Sequence, residues 1–299
     1  MQEDLPMKRL ITLVVSLVAL LALTLAGALF LGIVGNSFAG EAVNLKREDQ
    51  KDVPIMVYAP KGGACRGIAI ISHGAGGSEN GLGYLGDAMS ELGYLGIVVG
   101  HPESGRRAVR EHMKGLDLKG ALASLITDPA AYRGRFKDIA AARQWAESKC
   151  ASRSAILLGH SMGAATVMIE AGATNKVDMR GSDGFGAYIA LSPQGAGLIF
   201  PENAWTSIRK PVLLLTGTED SELGGGSWQT RTEPFNNMPA GCKWLGVIDG
   251  ASHMNFAGMG SSASVEALTR RTIADFLRGV DQGDCRAAPA PAGMRIDTK

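Results

Sequence analysis

Aromatic residues are few in this chain, 6% of 299 positions, and neither sign of charge dominates, since 30 Lys and Arg face 29 Asp and Glu. Without a basic stripe, the chain has no electrostatic footprint for a nucleic-acid backbone. The five histidines are His73, His101, His112, His160 and His253, and no two have the helical or hairpin spacing of zinc ligands. Only four cysteines occur, and none are in C-x-x-C spacing. The glycine-rich segment His73-Gly74-Ala75-Gly76-Gly77-Ser78 has no Walker-type lysine after it and lacks dinucleotide-binding spacing. No short-period repeat is visible. These absences leave neither a cofactor nor a metal to propose.

What is present begins with an apolar run from Leu10 to Val34, preceded by Lys8 and Arg9. As a helix it would reach roughly 38 Å, against about 30 Å of bilayer hydrocarbon. Residues 1–40 are therefore expected to be a signal peptide or an uncleaved, transmembrane signal anchor. Small-residue cleavage sites stand at Ala26-Gly27-Ala28 and Ser37-Phe38-Ala39, and Met7 opens a better n-region than Met1. Either form places the remainder outside the cytoplasm: periplasmic, secreted or anchored facing outward. Cysteine usage agrees. An even count in an exported chain suggests two disulfides, and the favoured pairing is Cys65–Cys150 and Cys242–Cys285. The first two each precede a predicted strand, and the second two bracket the last strand–helix unit.

Beyond a polar linker at 41–51, residues 52–283 alternate apolar strands with helical stretches, and 284–299 read as a disordered Ala/Pro tail. Predicted strands cover 53–59, 67–72, 94–100, 154–158, 186–191, 212–216 and 244–248. Helices are predicted over 82–92, 135–149, 161–172 and 264–278, while 104–135 reads poorly and Asp128-Pro129 breaks it. Such alternation implies an α/β fold with a mostly parallel, doubly wound sheet. Functional groups then gather at the carboxyl ends of strands.

One of those ends carries Gly159-His160-Ser161-Met162-Gly163, between a strand and a helix. This is the context of a G-x-S-x-G nucleophile elbow, with Ser161 on the corner. A serine needs a base to take its proton, and imidazole suits that role near neutral pH. His253 lies in the last loop before the last helix, and Asp220 ends the 212–216 strand region, so Ser161, Asp220, His253 follow the chain order of this elbow. Glu219, Glu222 and Asp249 compete for the acid's role. His73 and His101 also end strands but precede the nucleophile, and His73 is expected to anchor its loop. The N–H groups of Met162 and Ala75 are expected to receive an oxyanion.

Residues 52 to 280 resemble the α/β-hydrolase superfamily, on the segments His73-Gly74-Ala75-Gly76-Gly77, Gly159-His160-Ser161-Met162-Gly163, Leu191-Ser192-Pro193, Gly217-Thr218-Glu219-Asp220 and Gly250-Ala251-Ser252-His253. Within it the chain looks like the dienelactone-hydrolase-like, platelet-activating-factor-acetylhydrolase-like and bacterial cutinase-like group. The resemblance implies a Ser-Asp-His triad, ester hydrolysis through an acyl-enzyme, and one antiparallel strand near the start. Departures are a serine where dienelactone hydrolases use cysteine, and Gln194 and Ala75 where cutinase-like enzymes carry aromatics. The short stretch between Leu191 and Val212 leaves no room for a large cap domain. A lid would have to come from 104–135 or 222–234. The expected function is an exported serine carboxylesterase with a small-molecule or lipid ester as partner. The alternatives are a membrane-associated phospholipid acyl hydrolase or acyltransferase, and a non-catalytic binding module; the oligomeric state stays open.

Overall fold

The computed structural model describes residues 40–299 except Arg153, Gly224 and Ser261. The expected signal peptide or anchor, with its apolar helix, lies outside the described residues. One expectation is corrected: among the described residues, no helix is long and apolar enough to cross a membrane.

The strands are β1 (Glu41–Lys46), β2 (Asp52–Tyr58), β3 (Gly67–Ser72), β4 (Tyr94–Val99), β5 (Ala155–His160), β6 (Ala187–Leu191), β7 (Val212–Glu219), β8 (Lys243–Ser252) and β9 (Met294–Thr298). The helices are α1 (Gly83–Glu91), α2 (Arg106–His112), α3 (Leu118–Ile126), α4 (Pro129–Glu147), α5 (Met162–Glu170), α6 (Glu233–Asn237) and α7 (Ala263–Gln282). All nine strands form one sheet in the order β1-β2-β4-β3-β5-β6-β7-β8-β9. From β4 to β8 the pairings are parallel, while β1–β2, β2–β4 and β8–β9 are antiparallel.

Parallel strands are buried on both faces, so they read as unbroken apolar runs rather than alternations. Thus β3 (GIAIIS), β4 (YLGIVV) and β5 (AILLGH) are buried throughout. Their side chains still divide by the two-residue period of a strand. Ile68, Ile70 and Leu157 enter one core with Tyr132, Ile139 and Val167 of α4 and α5. Ala69, Ile71 and Leu158 enter the other with Leu85 and Met89 of α1 and Ile273 and Phe276 of α7.

Three sequence expectations are revised. The supposed linker at 41–51 contains β1, whose Val43 and Leu45 are half-buried against the core. Only every second residue of an outer strand needs to be apolar, so its composition looked polar. Its extension carries Arg47, which is buried. The supposed disordered tail at 284–299 ends in β9, where Met294 is buried and pairs with Ile248. A five-residue edge strand after an Ala/Pro segment leaves little periodicity to detect. The helix expected over 135–149 begins earlier, because Asp128-Pro129 not only separates α3 from α4 but also starts α4: the Asp128 carboxylate accepts the Ala130 N–H at 2.8 Å, and Pro129 fills the first turn, where its missing N–H costs nothing.

Cys65 is bonded to Cys150 and Cys242 to Cys285. The first bridge ties the entry of β3 to the end of α4. The second ties the entry of β8 to the segment leaving α7, where the Trp244 indole N–H donates to the Cys285 carbonyl at 2.7 Å. The bridges close loops with sequence separations of 85 and 43. Loop-closure entropy makes these worth up to about 4.5 and about 4 kcal/mol respectively. Replacing both cysteines of either pair by alanine is expected to lower the urea midpoint accordingly, and reductant should lower it in the native protein but not in the protein lacking both pairs.

Candidate active site

Ser161 joins β5 to α5 with φ 56° and ψ −119°, a conformation non-glycine residues avoid. Such strain costs roughly 1–3 kcal/mol and persists only where the surroundings enforce it. Here the enforcement is steric. A side chain on Gly159 would run into the Gly163 carbonyl, and one on Gly163 would run into the Ser72 carbonyl. The two glycines therefore let the strand end, the corner and the helix start close on one another. Ser161 is left partly exposed at the carboxyl edge of the sheet, and Met162 opens α5. First-turn N–H groups such as that of Met162 lack intrahelical acceptors and sit at the positive end of the helix dipole.

His253 follows β8 and reaches both partners. Its Nε2 lies 2.9 Å from Ser161 Oγ and its Nδ1 lies 2.9 Å from Asp220 Oδ1. With Nδ1–H donated to the carboxylate, Nε2 is free to accept the serine proton. Asp220 is fully buried just past β7. Thr216 donates to its Oδ2 at 2.9 Å, and Arg231 Nε approaches its Oδ1 at 2.9 Å. Burial alone would push the Asp220 pKa up, but the His253 hydrogen bond and the Arg231 charge hold it below the usual carboxylate range. The rival acids are placed elsewhere: Glu222 accepts the Gly195 N–H at 2.9 Å, and Glu219 and Asp249 are exposed.

Two supporting residues went unrecognised in the sequence. Arg231, within a segment read only as a possible lid, is buried beside Asp220 and His253. Its guanidinium donates to the carbonyls of Ser192 at 3.0 Å, Pro193 at 3.1 Å, Asp220 at 2.6 Å and Ser221 at 2.9 Å. It thereby ties the loop after β6 to the loop after β7. Its Nη2 also lies 3.2 Å from His253 Nδ1, beside the N–H that points to Asp220. His160, at the second position of the pentapeptide, donates from Nε2 to the His253 carbonyl at 3.0 Å. Burial, with His253 beside it, depresses the His160 pKa to about 3, so this imidazole stays neutral and holds the His253 backbone.

A second Ser–His–Asp chain lies under the first loop. Ser72 Oγ is 2.9 Å from His101 Nε2, and His101 Nδ1 is 3.0 Å from Asp138 Oδ2. This is the hydrogen-bond order of a serine-hydrolase triad. Its surroundings differ from those of Ser161. Ser72, His101 and Asp138 are all buried, and Ser72 is the last residue of β3, with φ outside the left-handed region. Arg135 Nη1 donates to Ser72 Oγ at 3.0 Å, and Arg47 Nη1 donates to Asp138 Oδ1 at 3.0 Å. Burial and the nearby Arg135 hold the His101 pKa well below 6.5, and burial lifts Asp138 to about 7 against the pull of Arg47.

The His73–Gly77 loop packs over both chains. His73 Nδ1 donates to the Gly74 carbonyl at 2.6 Å, and His73 Nε2 accepts the His101 N–H at 3.1 Å. A Cβ at Gly74 would sit 3.1 Å from Ser161 Cβ, so this loop borders Ser161 directly. Ala75 is half-buried next to it. Among the described residues, no group of three His, Cys, Asp or Glu could hold a metal ion.

No family model matches the chain, and no curated protein matches it. Solved structures do. A predicted CIB-like hydrolase from Thermoplasma acidophilum aligns at 16% identity and TM-score 0.52, covering 81% of this chain and 99% of that one. An alpha-beta serine hydrolase homologue from Coxiella burnetii aligns at 18% identity and TM-score 0.52, covering 78% and 97%. A cold-adapted esterase from an Arctic intertidal metagenomic library aligns at 20% identity and TM-score 0.55, covering 83% and 93%. At these identities the likeness is one of fold, that of α/β-hydrolase-superfamily enzymes, and it does not reach the narrower groups that the motifs resemble.

Breaking a buried, hydrogen-bonded ion pair by removing one partner costs about 3–5 kcal/mol. Arg231→Met is expected to lower unfolding free energy in urea by that amount. Arg231→Lys should recover less than half of it, because an ammonium cannot reproduce the planar fork.

Proposed function

We propose that this chain is a serine hydrolase that cleaves carboxylic esters through an acyl-enzyme, with Ser161 as nucleophile, His253 as general base and acid, and Asp220 as the orienting carboxylate. The observation that carries the reading is His253 bridging Ser161 and Asp220 at 2.9 Å on each side, with Ser161 on a strained corner. As Ser161 Oγ bonds to the ester carbon, its proton passes to His253 Nε2 and the carbonyl electron pair moves onto oxygen. The N–H groups of Met162 and Ala75 are assigned to that oxyanion. The C–O bond to the alcohol then breaks as His253 protonates the departing oxygen. Water, deprotonated by the same imidazole, releases the acid by the reverse sequence. No step calls for a cofactor.

The finer reading is a carboxylesterase for small to medium acyl esters, acting outside the cytoplasm. Two disulfides support an oxidising compartment. The connection from β6 to β7, residues 192–211, is short for a cap domain and suits an open site. Gln194 and Ala75 in place of aromatics disfavour aromatic polyesters.

A second nucleophile deserves comparison, because Ser72–His101–Asp138 has the same hydrogen-bond order. Burial of Ser72, and the Arg135 bond to its oxygen, weigh against it. The two serines are separable with p-nitrophenyl butyrate and a fluorophosphonate label. Loss of an activated nucleophile costs roughly four or more orders of magnitude in kcat, so Ser161→Ala should lose turnover and labelling together. Ser72→Ala should keep the label and stay within roughly tenfold of native kcat, the cost of disturbing a supporting hydrogen bond. The opposite pattern would move the nucleophile to Ser72, and labelling of neither serine would favour a binding module.

A further inference from the structure

The guanidinium of Arg135 is fully buried, yet its hydrogen bonds go to neutral oxygens: Ser72 Oγ at 3.0 Å, the His73 carbonyl at 2.7 Å and the Gly74 carbonyl at 3.5 Å. Its Nε finds no partner among the described residues. Burial lowers its pKa only to about 10, so it is a cation at neutral pH. Burying a charge without a bonded counter-charge is costly, which raises the question of what that charge does.

The answer lies in the loop it holds. The Gly74 carbonyl and the Ala75 N–H belong to one peptide group. That carbonyl accepts from Arg135 on one side and from His73 Nδ1 at 2.6 Å on another. Hydrogen bonds accepted by a peptide oxygen polarise the unit and strengthen its N–H as a donor. The loop itself borders Ser161. We propose that Arg135 is a positioning residue of the reaction: it fixes the His73–Gly74–Ala75 main chain and polarises the Gly74–Ala75 peptide, so that its N–H stabilises the oxyanion formed when Ser161 attacks. The proposal rests on Ser161 as nucleophile and Ala75 as donor.

It also gives the Ser72 chain a role. Arg135 donates to Ser72, Ser72 donates to His101 Nε2, His101 donates from Nδ1 to Asp138, and Asp138 accepts from Arg47. From Arg135 to Asp138 every proton points the same way when His101 is neutral, the state its burial enforces, and Arg47 donates to the Asp138 carboxyl from the far side. The chain therefore helps anchor Nη1, which is shared between Ser72 Oγ and the His73 carbonyl, and so turns Nη2 toward the Gly74 carbonyl. A planar fork suits this task, because it donates from two nitrogens held apart on one rigid plane, whereas a lysine donates from a single nitrogen.

The test compares native protein with Arg135→Met and Arg135→Lys, on p-nitrophenyl butyrate and against a trifluoromethyl ketone that forms the tetrahedral oxyanion on serine. Removing an oxyanion donor outright costs about 10²–10³ in kcat, so weakening one should cost roughly ten- to hundredfold. In Arg135→Met, kcat should fall by that factor with KM within about twofold, while the ketone's Ki rises in parallel with the loss of kcat/KM. Arg135→Lys should fall between. If Arg135→Met does not fold, as circular dichroism would reveal, the reading passes to Arg135→Lys. There the infrared carbonyl stretch of the trapped acyl-enzyme should move to higher frequency, reporting a weaker donor. A folded Arg135→Met with native kcat and Ki would overturn the proposal. So would a kcat loss with unchanged Ki, or an acyl carbonyl at native frequency in Arg135→Lys. Failure of the Ser161 reading would be seen separately, as turnover surviving in Ser161→Ala.

Discussion

The site depends on one close contact, where the end of β3 meets the first turn of α5. Gly163 faces the carbonyls of Ser72 and His73 with no space for a side chain between them. That approach sets the distance from the His73–Gly77 loop to Ser161, and with it the space where an ester carbonyl would sit. Because β3 and β5 are paired neighbours in the centre of the sheet, the two strand ends are held at a common level by Ser72 opposite Gly159. The strain at Ser161 is thus supported by the most buried part of the molecule, which the corner alone could not provide.

Around this contact the protein uses buried cations to fasten loops that have no secondary structure of their own. Arg231 collects four carbonyls from the loops after β6 and β7. Arg135 collects the carbonyls of the loop after β3, and Arg47 reaches from the extension of β1 to Glu103 and Asp138. Loop carbonyls at a strand end cannot join a ladder and must find donors when buried. A guanidinium supplies five donors on a rigid plane. The cost is a desolvated charge, and Asp220 offsets it for Arg231 as Asp138 and Glu103 do for Arg47.

The legible parts of the fold were those where periodicity and turn chemistry are local. Central strands such as β3 and β5 read as unbroken apolar runs because both faces are covered, and the pentapeptide announced a corner through its glycines. The edges were not legible. β1 and β9 commit few residues to the core, and their pairing is decided by partners far away in sequence. The break at Asp128-Pro129 was legible, but the early start of α4 there was not, because a helix start and a helix break use the same residues. Strand-end position and chain order pointed to Ser161, Asp220 and His253, which the structure brings into contact. They did not point to Arg231: its four carbonyl partners lie in loops up to 39 residues away and leave no motif. His101 and Asp138 are joined only by the packing of α4 beneath β4.

Two chains with the same order of Ser, His and Asp therefore occupy one molecule, and chemistry is assigned by what surrounds each. His253 keeps about a third of its side chain exposed, so an imidazolium formed during attack can be solvated as well as paired with Asp220. His101 has no such access, and the cation Arg135 faces the serine at its far end. Protonating that imidazole would place a new charge near two existing guanidiniums in a low-dielectric interior, where repulsion is least screened. The serine there is also engaged as an acceptor, so its oxygen has less electron density to offer a carbonyl carbon. Hydrogen-bond order alone is then an incomplete description of a nucleophile. On the proposed reading, a strained corner, a solvated imidazole and, among the described residues, no competing donor on the serine oxygen are what distinguish Ser161 from Ser72.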